Sequence, residues 1–447
     1  MKATRGHGLS RLSLRQTAAQ LTKGALVSLI CRLFSAFLGL MWSLLLARIL
    51  GPADAGLYYL AFSVVLVFST VSTLGLGNVV VRMVGGAHGV DGPGQSAAVL
   101  RSSVILVLSA ALVVIVGTYG FGIDRLAALF TSPGLERLLL VMLLAVPALC
   151  LISVGSSALQ GVRDIAGSAL TRGVIAPSVF VCGAVLLHRT LTLEGVAGLF
   201  VAGAWVAAGF GFWRWRRLAR SARSAAARGM LDGPEVRQLI KAGLPLLGVA
   251  LLTLVTTVAP TILLGVWQPS DAVGVFASAT RVAGVASFLV LAVNAIAAPL
   301  MASAHRQGDS ADLERIARLS ALMVTLSSMP LIALMLLFPA QLMSLFGPEF
   351  RIGAATLVIL ALGYGAKALA GSATVLLMMS GRERSLLRIS AWSVAVNLLL
   401  CVVLIPLLGI NGAALAWTLS IALESALALD CVRRELHILC LPGLTRA

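Results

Sequence analysis

Residues Gly24 to Ala47 read GALVSLICRLFSAFLGLMWSLLLA, an apolar run long enough to cross a bilayer as one helix, with a single charge, Arg32. No other feature narrows the possible folds so far. Inside hydrocarbon every backbone N–H and C=O must find a partner within the protein, which leaves helices or closed barrels. At a rise of about 1.5 Å per residue, Arg32 lies roughly 13 Å beyond Lys23, further than an arginine stem comfortably snorkels. Stranding its guanidinium in lipid costs about 3 kcal/mol or more, so the charge needs a partner or a purpose. Ser28, Arg32, Ser35, Gly39 and Ser43 recur at steps of four, three, four and four and share one helical stripe, while Phe34, Phe37 and Leu44 lie on other faces. Two readings of the stripe stand. One is a helix–helix seam of small residues with Arg32 bonded to a neighbouring carbonyl; the other is a wall of a water-filled cavity for an anionic solute.

Twelve such runs can be marked, at about 24–47, 57–83, 97–119, 138–160, 168–188, 195–213, 242–266, 274–300, 316–338, 354–379, 389–408 and 411–431. They predict an all-α polytopic membrane protein. With 59% of 447 residues apolar and 11% charged, a soluble domain is excluded. The formal charge of +17 is explained by where it falls. With the N-terminus inside, segments on that side hold 26 Lys and Arg, those outside hold 5, and Arg32, Arg281 and Lys367 lie within spans. Arg172 is counted here with Arg163 in an inner segment. This is the positive-inside pattern, with both termini cytoplasmic and basic segments positioned to meet anionic lipids. No nucleic-acid-binding motif accompanies the charge, so nucleic acid is not an expected partner. The first run lacks a small-residue cleavage site and reads as an uncleaved span. The six cysteines and five histidines show no disulfide or metal-ligand spacing, and neither metal nor cofactor is expected.

The basic stretch 214–241 divides the chain, with a Gly233-Pro234 turn near its end. The expected organisation is a basic N-terminus (1–23), an N-lobe of six spans (24–213), this linker, a C-lobe of six spans (242–431) and a tail (432–447). The halves repeat. Gly56 pairs with Gly274, each shortly after an Asp-Ala; Gly161 in LQGVRD pairs with Gly381 in MSGRER; Gly195 in EGVAGL pairs with Gly412 in NGAALA. The offsets are 218, 220 and 217. Six spans return the chain to its starting side, so the repeats share one orientation, an arrangement that holds a solute near mid-membrane between rocking lobes. At an offset of 218, Ser35, Gly39 and Ser43 map onto Thr253, Thr257 and Thr261, and the matched hydroxyl stripes favour two walls of one cavity.

Three cations then become candidate substrate contacts: Arg32, Arg281 in the eighth span, and Lys367 midway along the tenth with Gly363, Gly371 and Thr374. Guanidinium forks match phosphate oxygens in bidentate geometry, and an ammonium adds a point charge. Structural alternatives are outward snorkelling for Arg281 and a helix-tying ion pair between Lys367 and Glu424. Glu424, the mid-span acid clear of the span ends, is the candidate carrier of a coupling proton. Catalytic motifs are missing: there is no GxSxG, HExxH or P-loop, and no extramembrane segment large enough for a catalytic domain, so no enzyme is expected.

Ala47-Arg48-Ile49-Leu50-Gly51-Pro52 followed by Gly56-Leu57-Tyr58 resembles the ARxLGPxxxGxY signature of Wzx-type polysaccharide and O-antigen flippases. Gly75-Leu76-Gly77 ahead of Arg82, the turn at Leu159–Arg163 and Gly409–Leu415 are similar to the family's other landmarks, and the resemblance runs from about Gly24 to Arg434. The family belongs to a superfamily that also holds MATE drug antiporters and lipid II flippases. The resemblance implies a V-shaped pair of six-helix lobes in a bacterial inner membrane. It implies a cationic cavity binding the diphosphate and sugars of an undecaprenyl-linked oligosaccharide, alternating access, and coupling to a proton or sodium gradient. Polysaccharide polymerase and glycosyltransferases would be its neighbours. Arg32, Arg281 and Lys367 come from depth and stripe, not from the family's motifs. The rival readings are a MATE-like exporter of cations, disfavoured by the single mid-span acid, a non-transport scaffold, and a lipid II flippase, which additional terminal spans would have marked.

Overall fold

The computed structural model describes residues 6–90, 93–187, 190–219 and 233–436, with side chains of the first helix described from Ile30. The described residues form helices and no strand. Among the described residues, ten helices are long and apolar enough to cross a membrane. One of them, Ile30–Thr73, has 44 residues, twice what a bilayer needs, and it turns at Gly51. Gly51 has φ 72° and ψ 179°, a backbone that glycine adopts without strain, and Pro52 restarts the helix where its missing N–H costs nothing. Leu135–Met142 and Ala145–Gly161, bent by 41°, make one further crossing. Counted this way the helices make the expected twelve crossings.

Several expected spans are interrupted. Leu74 and Gly75, at φ 52° and 68°, end the second crossing before Leu76–Val90. The tenth is split into Ala354–Ala370 and Ala373–Met379 by Gly371, at φ 58°. The fifth, Ile165–Leu187 overall, carries a π-helical turn at Leu170–Val174. The sixth helix runs on to Ala219 and the seventh begins at Gly233, so the middle of the basic stretch, 220–232, lies outside the described residues.

The first six crossings pack on one another, as do the last six, and the two bundles meet where the kinked first helix lies on the eighth crossing, Ser270–Gln307. Glycines permit that approach. A Cβ on Gly56 would overlap the Ser270 carbonyl, and one on Gly274 would overlap the Pro52 carbonyl. The two glycines paired by the repeat therefore touch each other's segments across the interface, each filling the same role in its own bundle. Gly75 and Gly243 make a second backbone-close contact between the bundles.

The repeat also shows in the inner turns, with a correction. The left-handed residue is Arg163 (φ 64°) in one bundle and Gly381 (φ 74°) in the other, 218 apart, so Gly381 matches Arg163 and not Gly161. The next residues form the same joint with charges exchanged. Asp164 caps its helix through the Gly167 N–H and accepts two bonds from Arg214, at 2.7 and 3.2 Å. Arg382 reaches Glu435 at 3.2 Å, and Ser385 donates to the same carboxylate at 2.9 Å.

Candidate functional site

A cavity of about 540 Å³ lies between the bundles. Its first wall carries Ser35 and Gly39, Tyr59 and Phe62, and Arg172; its second carries Thr257 and Thr261, Arg281 and Tyr364. No Asp or Glu lines it among the described residues. Arg281 does not reach outward past its own bundle. Its guanidinium lies 5.8 Å from the centres of both the Tyr59 and Phe62 rings of the opposite bundle. Contacts of that kind contribute about 0.5–2 kcal/mol and steer the charge without consuming its N–H donors. No ion pair or hydrogen bond engages Arg281 among the described residues, so its fork is open to the cavity.

Arg172 is the residue that sequence reasoning missed. Counted with the inner segment, it belongs instead to the cavity wall, carried there by the π-helical turn Leu170–Val174. Its Nε and Nη2 donate to the hydroxyls of Ser156 and Ser157, both at 3.2 Å, which aims the side chain while leaving further N–H groups free. The available signal was its position inside the fifth apolar run, four residues past Ser168. Arg32 is exposed, about one turn from Ser35, and near enough to Arg172 to act on it electrostatically. It makes no hydrogen bond or ion pair among the described residues, so the neighbouring-carbonyl bond of the seam reading is not formed.

The two hydroxyl stripes divide between the two readings. Ser35, Gly39, Thr257 and Thr261 line the cavity. Ser43 does not: it is 1% exposed and packed beside Tyr59. Thr253 is exposed with its hydroxyl bonded to the Val249 carbonyl at 3.1 Å, away from the lining. Ser28 lies where side chains are outside the described residues.

Lys367 and Glu424 line a different cavity, of about 430 Å³, inside the second bundle. They form no ion pair within 4.0 Å. Glu424 instead accepts a hydrogen bond from Ser390 at 2.9 Å. The two cavities share Ser287 and Phe288.

Two six-helix bundles, closely apposed at glycines and enclosing a cationic, hydroxyl-lined space, define a membrane-transporter fold. The family model described as "Polysaccharide biosynthesis protein" matches residues 21–305, and the chain belongs to that family. A second model, MatE, matches residues 245–403. No curated protein matches the chain in sequence. Among solved structures it is similar to an inward-facing multidrug resistance MATE family transporter of the MOP superfamily, with TM-score 0.76, 16% identity, and 92% of this chain and 98% of that one covered. It is similar to the lipid II flippase MurJ in an inward closed conformation, with TM-score 0.75, 14% identity and coverage of 91% and 87%. It is also similar to a MOP superfamily transporter from Pyrococcus furiosus described as having a binding pocket of reverse polarity, with TM-score 0.66, 17% identity and coverage of 94% and 95%. The chain is thus a multi-pass membrane protein with the fold that these transporters share.

Proposed function

We propose that the protein is a flippase that moves a polyprenyl-diphosphate-linked oligosaccharide, a polysaccharide repeat unit on undecaprenyl, across the bacterial inner membrane. The observation that carries the reading is the acid-free central cavity with Arg172 on one bundle and Arg281 on the other. The open fork of Arg281 and the remaining N–H groups of Arg172 suit the oxygens of a diphosphate, and a low-dielectric wall strengthens each contact. Membership of the polysaccharide biosynthesis family supports a glycan cargo. Arg32, exposed beside Arg172, would receive the diphosphate at the inner mouth of the cavity. An exporter of organic cations fits this wall poorly, since such ligands need carboxylates and open aromatic faces, and the Tyr59 and Phe62 rings already carry Arg281.

Both termini and the basic stretch would then face the cytoplasm, where glycosyltransferases assemble the cargo; a polymerase would take it up on the far side. Glu424, held by Ser390, is proposed as the coupling group. The test is translocation of a fluorescent polyprenyl-diphosphate oligosaccharide in proteoliposomes. Wild type should expose the glycan to an external quencher, and Arg281→Ala or Arg172→Ala should slow this at least about tenfold, the effect of losing one charge-assisted contact. Wild-type rates in both variants would reject the site. Glu424→Gln should remove the dependence of rate on an imposed pH gradient, and a retained dependence would reject the coupling role.

A further inference from the structure

The central cavity leaves its neighbour unexplained. The second cavity is walled by Asn294 of the eighth crossing, Lys367 and Thr374 on either side of the break in the tenth, Ser390 of the eleventh and Glu424 of the twelfth. It shares Ser287 and Phe288 with the central cavity, so the two cavities lie against the same stretch of the eighth crossing. Tyr364 lines the central cavity and Lys367 the second, and three residues of helix separate them by only about 4.5 Å along the axis.

Its polar groups differ in kind from those of the central cavity. Lys367 has no hydrogen bond and no carboxylate within 4.0 Å among the described residues, leaving three donors open. The Thr374 hydroxyl is likewise without a partner among the described residues. Asn294 uses its carbonyl oxygen to accept from Ser372 at 2.6 Å, which leaves its amide hydrogens. Glu424 accepts one bond through Oε1 and keeps Oε2 open. The wall therefore offers an ammonium, an amide and a hydroxyl together with a carboxylate. Its formal charges cancel. A second phosphate would be repelled by Glu424, whereas a ring of hydroxyl groups, each both donor and acceptor, can satisfy every one of these side chains.

We propose that this second cavity is a sugar subsite that holds an uncharged, hydroxyl-rich sugar residue close to the diphosphate of the cargo. The proposal rests on the flippase reading of the central cavity, and its test separates the two. Purified full-length protein is titrated with polyprenyl diphosphate carrying no sugar and with the same lipid carrying a neutral disaccharide. Wild type should bind the sugar-bearing lipid at least about tenfold more tightly, because hydrogen bonds to charged groups are of that strength. Lys367→Met should abolish most of that gain, and Thr374→Val, which keeps the side-chain shape, should reduce it; neither should change affinity for the sugar-free lipid by more than about twofold. Equal affinity of wild type for the two lipids overturns the subsite. So does an equal loss for both lipids in Lys367→Met, which would assign Lys367 to the diphosphate and leave the flippase reading intact. Failure of wild type to bind either lipid would defeat the reading of the central cavity itself.

Discussion

Arg172 and Arg281 illustrate two ways of keeping a guanidinium useful at membrane depth. Arg172 is aimed by two serine hydroxyls of a neighbouring helix; Arg281 is steered by two aromatic rings of the opposite bundle. The first device depends on a bundle's own packing, the second on the bundles being together. Substituting Ser156 and Ser157 jointly by Ala should therefore leave the protein folded but weaken binding of a diphosphate lipid severalfold, since Arg172 loses its aim and not its charge. Replacing Phe62 by Leu should leave Arg281 in place at the cavity while weakening its hold, and the expected readout is a loss of affinity smaller than that of Arg281→Ala. Titration of the purified variants with polyprenyl diphosphate checks both. A single chain sufficed to see Arg281, because a cation two turns inside an apolar run is conspicuous. Arg172 escaped because its run begins only a few residues earlier, and the π-helical turn that carries it to the wall leaves no mark in composition.

At the scale of elements, the joints between helices tie distant parts of each bundle together. The turn after the fourth crossing is tied to the end of the sixth by Asp164 and Arg214, and the matching turn in the second bundle is tied to the end of the twelfth by Arg382 and Glu435. Arg214 is partly exposed, with 36% of its side-chain surface accessible, so the first joint is worth only about 1 kcal/mol after solvent screening. Asp164→Ala should lower the thermal midpoint measurably, and the exchanged pair Asp164→Arg with Arg214→Asp should recover much of it, since the second bundle already uses that polarity. The repeat was legible from glycine spacing. Which residue takes the left-handed turn was not, because Arg163 does in one bundle what Gly381 does in the other, and only backbone angles reveal the equivalence.

For the whole molecule, the contact of Gly56 with Ser270 and of Gly274 with Pro52 is one place where the bundles meet backbone to backbone. If both termini are cytoplasmic, as the positive-inside expectation has it, that contact would be the closed outer gate of an inward-open transporter. A side chain at either glycine would force carbonyl and Cβ into the same space. Gly56→Val is therefore expected to lengthen spin-label distances between the ends of the bundles at that contact and to slow translocation at least about tenfold, while Gly117→Ala, outside both cavities and with no atom within 4 Å of the added methyl, should alter neither. Unchanged distances in Gly56→Val would show that the contact is not a gate.

The amino-acid sequence alone determined that this chain is a multi-pass helical membrane protein, that its halves repeat, and that cations lie within its apolar runs. Those properties follow from hydrophobic length and period, both of which are local along the chain. Tertiary structure decided which of the buried charges share a space. It separated Lys367 from Arg281, kept Lys367 apart from Glu424, drew Arg172 in, and sorted Ser43 and Thr253 away from the wall that Ser35, Gly39, Thr257 and Thr261 line. The reason is geometric: a stripe fixes a side chain's direction about its own helix, while the breaks at Gly51 and Gly371 and the packing of one bundle on the other fix where that direction ends.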